Sequence, residues 1–223
     1  EVCKKKRNLM LEKLSYKQHF SKTINLAYPV MLSQVGHVTV GIVDSIMVGQ
    51  IGPEALAASS FANNVLMVFL MFGIGVSYGI TPLVAQADGE GDRNKITRLL
   101  RHGIVLCLST SLVLVLLGFL LSFGFDNFSQ PEEVIRLGKP YFYVILFSMI
   151  PMMLFQNFRQ FAEGLSITKP TMFITIGANL INVLFNYILI YGKFGFPELG
   201  LIGAGWGTLI SRVFMAVGMM LYV

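Results

Sequence analysis

One carboxylate, Asp44, lies within the stretch VDSIMVG at residues 43–49, in a run from 24 to 51 whose only other ionisable groups are His37 and Tyr28. Such a run is long enough to cross a hydrocarbon core of about 30 Å at about 1.5 Å per helical residue. An ionised Asp at the centre of a membrane helix costs roughly 2.5–3.5 kcal/mol on insertion scales, so it needs a partner, a proton or a path for water. The chemistry this predicts is reversible uptake of a proton or cation at membrane depth.

Other polar residues fall at helical spacing around it. Gln34, His37, Gly41 and Asp44 share one face of a helix, which must point to the bundle interior or a cavity. Thr175, Asn179, Asn182 and Asn186 repeat the pattern later in the chain, and Thr208 and Arg212 stand one turn apart. Ser60, Asn63 and Asn64 add a further group, as do Gln156, Asn157 and Gln160 beyond the kinking Pro151. For any one intramembrane Asn or Thr the ordinary role is a tie between helices, at about 0.6 kcal/mol per hydrogen bond. The Asp44 carboxylate, the carbonyls of Asn182 and Asn186 and the Thr208 hydroxyl would together form an all-oxygen cluster of the kind hard cations prefer. The same groups serve a proton, so Na⁺ and H⁺ both stay open. The ordinary alternatives are a static Asp44–Arg212 ion pair, a hydrogen-bonded core His37, and packing for Met149, Met152 and Met153.

The elements that must position these groups are membrane helices. Hydrophobic residues make up 54% of the chain and charged ones 13%, with mean hydropathy +0.67, too apolar for a soluble domain. Apolar runs of about twenty residues without strict alternation predict helices rather than barrel strands. Six spans are expected, near 24–50, 54–85, 96–123, 136–161, 170–192 and 199–223, separated by breakers such as Gly52-Pro53 and Asp88-Gly89-Glu90-Gly91-Asp92. The fold class is an all-α integral membrane bundle, preceded by a basic segment at 1–23.

Thirteen of the 17 Lys and Arg residues fall on the side of the N-terminus; Arg136, Lys139 and Lys193 fall on the other, and Arg212 lies in the sixth span. The imbalance predicts cytoplasmic termini. It also assigns the net charge of +5 to membrane orientation rather than to nucleic acid. Tyr141, Phe142 and Tyr143 read as interfacial aromatics. No HExxH, GxSxG or paired carboxylate occurs in the spans, which argues against an enzyme, and Cys3 and Cys107 suggest no disulfide framework. No cofactor is expected beyond a coupling ion. The missing initiator Met suggests a processed product or a fragment.

Residues 43–58, VDSIMVGQIGPEALAA, closely resemble the first-span signature of the multidrug and toxic compound extrusion (MATE) transporters. Residues 86–92, residues 164–170 and GANLINVLFNYILIYG at 177–192 agree in order and spacing. The resemblance implies the N-terminal six-helix lobe of a twelve-helix transporter that alternates between outward- and inward-open states, its partner the C-terminal lobe, missing here. It implies a cation-coupled (H⁺ or Na⁺) multidrug efflux antiporter of an inner (plasma) membrane, exporting drug-like amphipathic compounds. By family pattern the cation site is Asp44, Asn182, Asn186 and Thr208, with Na⁺ as the metal it would take. Gln34, His37, Asn63, Asn64, Gln156, Asn157, Asn179 and Arg212 are the expected cavity lining. Some members carry a second acid where this chain has Asn186, so Asp44 is the only acid of the cluster. Two alternatives are a lipid-linked oligosaccharide flippase of related fold, which would line its cavity with several basic residues, and a non-transporting membrane assembly subunit.

Overall fold

The computed structural model describes residues 16–128 and 130–223, so residues 1–15 of the expected basic N-terminal segment lie outside the described residues. Eight α-helices follow in order: α1 (Tyr16–Gly49), α2 (Pro53–Tyr78), α3 (Ile80–Glu90), α4 (Arg93–Ser122), α5 (Glu132–Phe147), α6 (Met149–Gly164), α7 (Lys169–Tyr191) and α8 (Gly200–Tyr222). They make six stretches long and apolar enough to cross a membrane, because α2 with α3 and α5 with α6 each form one span. This is a multi-pass membrane protein.

Two of the spans are broken into two helices each, the fourth of them at the kink expected from Pro151. Between α5 and α6 the cause is Pro151, which lacks the N–H that would bond the Phe147 carbonyl. Ser148 bridges the break: its hydroxyl donates to the Ile145 carbonyl at 2.6 Å, and the Met152 N–H returns to the Ser148 carbonyl at 3.2 Å. Between α2 and α3 the chain steps at Gly79.

The turns use ordinary capping chemistry. Asp92 accepts from the Lys95 N–H at 2.9 Å to start α4. Gly192 ends α7 in the left-handed region at φ 63°, where a side chain would be strained and would also meet Glu198.

Two close-packed regions hold the helices around the site. On the side of the α4–α5 turn, Phe125 and Phe142 are buried in edge contact at 4.9 Å, with Phe61 5.1 Å from Phe125. The seam between α7 and α8 closes on glycines: a Cβ at Gly203 would meet the Leu189 backbone, and one at Gly207 would meet Asn186. Small residues let membrane helices approach this closely, where van der Waals contact rather than the hydrophobic effect must hold them. The seam fixes α7, which also packs along α1.

Candidate functional site

The first helix presents His37, Gly41 and Asp44 to a cavity of about 460 Å³ walled also by α2, α5, α6 and α8. Its polar lining includes Ser45, Ser59, Asn63, Tyr141, Thr208 and Arg212. Leu66, Ile145, Met152 and Ala204 complete an amphipathic wall.

Asp44 stands between this cavity and α7. Asn186 Nδ2 donates to Asp44 Oδ1 at 2.7 Å and to Asn182 Oδ1 at 3.2 Å. Both asparagines are buried, at 0% and 2% exposure, and neither lines the cavity. The amide therefore reaches the carboxylate from behind, leaving the carboxyl group at the wall. The Asn186 Oδ1 has no protein partner and is turned toward Gly207. Thr208, the next residue on α8, faces the cavity. Three of the four expected cation-site residues are thus in one hydrogen-bonded chain, and the fourth shares a wall with Asp44.

Toward the far end of α1 a second tie runs to α7. The Tyr191 hydroxyl lies 2.8 Å from Gln50 Oε1 and 3.1 Å from the Met47 carbonyl. In the other direction Asn179 packs over Gly36, where a Cβ would meet its Nδ2. Contacts at Gly36, Asp44 and Met47 thus pin one face of α1 against α7.

The expected lining divides. His37, Asn63 and Arg212 face the cavity. Gln34 and Asn64 are exposed and line no part of it. Asn64 follows Asn63 by about 100° around the helix, so only one of the two can point inward. Gln156 and Asn157 are buried inside the bundle at 3% and 0% exposure, and Asn179 is taken up by Gly36.

The geometry decides against a static Asp44–Arg212 pair, since no ion pair joins them among the described residues. Arg212 Nη1 instead donates to Ser148 Oγ at 2.7 Å, which ties α8 to the α5–α6 break. Arg159 is 7% exposed, and its Nε donates to Glu163 Oε1 at 2.8 Å.

Tyr141 lies in the cavity wall rather than at the interface its sequence position predicts. It is buried at 5% exposure, lines the cavity, and its hydroxyl accepts from Asn63 Nδ2 at 3.2 Å. Phe142 is fully buried as well, so neither is an interfacial aromatic. The available signal was the spacing of Val134, Gly138, Tyr141 and Ile145, an inward stripe on α5.

Among the described residues no group of three or more His, Cys, Asp or Glu side chains could hold a metal ion. A cation at this site would rest on one carboxylate plus neutral oxygens.

Comparison with known proteins places these features in context. The MatE family model matches residues 29–188. The multidrug resistance protein NorM of Vibrio parahaemolyticus is 36% identical over 210 residues, covering 93% of this chain and 46% of that protein. NorM of Vibrio cholerae is 34% identical over 208 residues, with shares of 93% and 46%. The fold matches the crystal structure of the eukaryotic MATE transporter AtDTX14 at a TM-score of 0.83 and 19% identity, over 91% of this chain and 45% of that one. It also matches an outward-facing multidrug resistance MATE family transporter at 0.80 and 21%, over 90% and 44%. The chain thus spans about half the length of the curated relatives it matches.

Proposed function

Because the chain belongs to the MatE family, the MATE transporters, we propose that it forms the N-terminal lobe of a cation-coupled antiporter that exports drug-like amphipathic compounds. The observation that carries this reading is the position of Asp44: a carboxylate at membrane depth, open to a cavity on one side and held by the Asn186 amide on the other. The relatives named multidrug resistance protein supply the substrate class, and the mixed polar and apolar wall suits it.

The coupling ion, H⁺ or Na⁺, binds at Asp44. Asp44 Oδ1 and Asn182 Oδ1 converge on the same amide nitrogen of Asn186, so an arriving cation competes with that N–H for two oxygens. Turning the Asn186 amide would present its unpartnered oxygen to the ion, and the Thr208 hydroxyl stands on the cavity side. These neutral oxygens with one carboxylate fit a monovalent ion or a proton better than a divalent metal. Loading the site displaces (Na⁺) or weakens (H⁺) the carboxylate–amide bond that joins α1 to α7, and so changes which arrangement of α1 is favoured. The ion drives the cycle by no more than its difference in affinity between the two arrangements.

The basic end faces the cytoplasm of a bacterial-type inner membrane, and the second lobe completes the drug path. A flippase for lipid-linked oligosaccharides is disfavoured because, among the described residues, Arg212 alone supplies a Lys or Arg to the cavity and Arg159 is tied to Glu163. Nothing in the site offers a nucleophile with its base, so no chemical step on the substrate is proposed.

The test is Asp44→Asn in the intact transporter, reconstituted in vesicles with an imposed pH or Na⁺ gradient. Gradient-driven export of ethidium is expected to be lost while membrane expression stays normal. Export at the wild-type rate would overturn the assignment of Asp44.

A further inference from the structure

We propose that the exposed face of α4, at the end of the bundle where that helix starts, is a binding site for an anionic phospholipid. Its phosphodiester is held by Arg98 and Arg101 and its acyl chains lie along Val105, Leu112 and Leu116.

The first observation is that the cations of this bundle are treated unequally. Lys95 bonds Glu90 at 2.8 Å, Arg136 bonds Glu133 at 2.6 Å, Lys139 bonds Asp126 at 2.8 Å and Arg159 bonds Glu163 at 2.8 Å. Arg93, Arg98, Arg101, Lys169 and Lys193 are exposed and their side chains make no hydrogen bond or ion pair with any described residue, and of these only Arg98 and Arg101 stand one turn apart on one helix face. Two guanidinium groups at that spacing present parallel N–H donors suited to phosphate oxygens.

The second observation is what continues below them. The same helix face carries Val105 at 63%, Leu112 at 59% and Leu116 at 58% exposure, while the opposite face buries Gly103, Cys107, Ser111 and Leu114 against the bundle. The interior of this lobe is thus closed to the stripe, and we infer that the stripe meets the bilayer. From Arg101 to Leu112 the helix rises about 16 Å, close to the thickness of one leaflet of a core of about 30 Å. A headgroup at the arginines therefore places its chains along the stripe. Free phosphate would have no use for the apolar half of this surface, which is why a lipid is the occupant assigned.

The test uses the intact protein in detergent, with bound lipid counted by native mass spectrometry during titration with dioleoylphosphatidylglycerol or dioleoylphosphatidylcholine. The anionic lipid is expected to bind about thirtyfold more tightly, the scale of two interfacial cations. The preference should fall to parity in Arg98→Gln/Arg101→Gln, with each single variant between. Lys169→Gln, at the same end but on α7, and Arg136→Gln, at the other end, should leave it unchanged. Equal binding of the two lipids by the wild type overturns the proposal without any variant. A preference lost equally in Lys169→Gln, which would mean diffuse surface charge, or displacement of the lipid by inorganic phosphate at matched concentration, overturns it too. Ethidium export by the double variant in phosphatidylcholine vesicles separates this site from the Asp44 site, and it should match the wild type there.

Discussion

Fully buried asparagines occur in two parts of this bundle, and the surroundings make different things of them. On α7, Asn186 has an ionisable neighbour, bonds it at 2.7 Å, and that neighbour opens on a cavity. On α6, Asn157 is equally buried, yet neither its nitrogen nor its oxygen finds a protein partner, and it sits in the notch left by Gly103. Depth in the membrane is the same kind of fact for both. What separates them is that a titratable partner and a cavity lie within one hydrogen bond of Asn186 and not of Asn157. The α1–α7 contact meets that condition and the α4–α6 contact does not.

The harshest way to break the contrast is at two glycines, Gly203 in the α7–α8 seam that holds α7 in place and Gly103 in the α4–α6 contact. A Cβ at Gly203 would come within 2.6 Å of the Leu189 backbone, which cannot rotate away, so Gly203→Ala must part α7 from α8. Overpacking of this kind typically costs about 1–3 kcal/mol, and the α7 site should be distorted with it. The matching Gly103→Ala meets side-chain atoms alone, those of Asn157 and the end of Ile80, which can turn aside. Heat unfolding of the purified protein should fall well below wild type for the first variant and by less than half as much for the second. Equal losses would mean that the two contacts are alike in rigidity.

Substituting the asparagines themselves sharpens the difference. Asn186→Leu leaves the Asp44 carboxylate without its donor, and a hydrogen bond to a charged group is worth about 1.5–3 kcal/mol. A lower unfolding midpoint and weakened gradient-driven export are expected together. Asn157→Leu removes two polar atoms that were already unpaired, so the midpoint should hold or rise while export is unaffected. A fall in export for Asn157→Leu would show that the α6 amides belong to the transport path.

Much of this was legible in the residue pattern, and the rest failed for identifiable reasons. A 3.6-residue period placed His37, Gly41 and Asp44 on one wall and Asn182 with Asn186 on one face of α7. Tyr141 was misjudged because a span expected to begin near 136 puts it close to the interface, whereas α5 begins at Glu132. Nine residues of helix carry it about 14 Å inward, to the level of Asn63. Arg212 could be paired with Asp44 on paper because both are ionisable and apolar-flanked. Its actual partner, Ser148, matters only because Pro151 breaks the span there, and no pattern in α8 announces a break in α5–α6. Gln34 fits the polar period of α1 but is exposed, since periodicity fixes a face and not how far the neighbouring helices extend along it.

The smallest effect expected is also the most selective. Tyr191→Phe removes one hydroxyl proton shared between Gln50 Oε1 and the Met47 carbonyl, about 0.5–1.5 kcal/mol for a net hydrogen bond. The ring keeps its edge contact with Tyr187 at 5.7 Å, so packing is conserved and the midpoint should move little. Met47 follows Asp44 by less than one helical turn, so loosening this tie changes the angle at which the carboxylate meets Asn186. If α1 and α7 act as a coupled pair, the Na⁺ or H⁺ concentration for half-maximal export should shift by about two- to tenfold, the range of an interaction of this size, while the maximal rate stays put. A changed maximal rate with an unchanged ion dependence would place Tyr191 in the drug path instead, and would detach the end of α1 from the work done at Asp44.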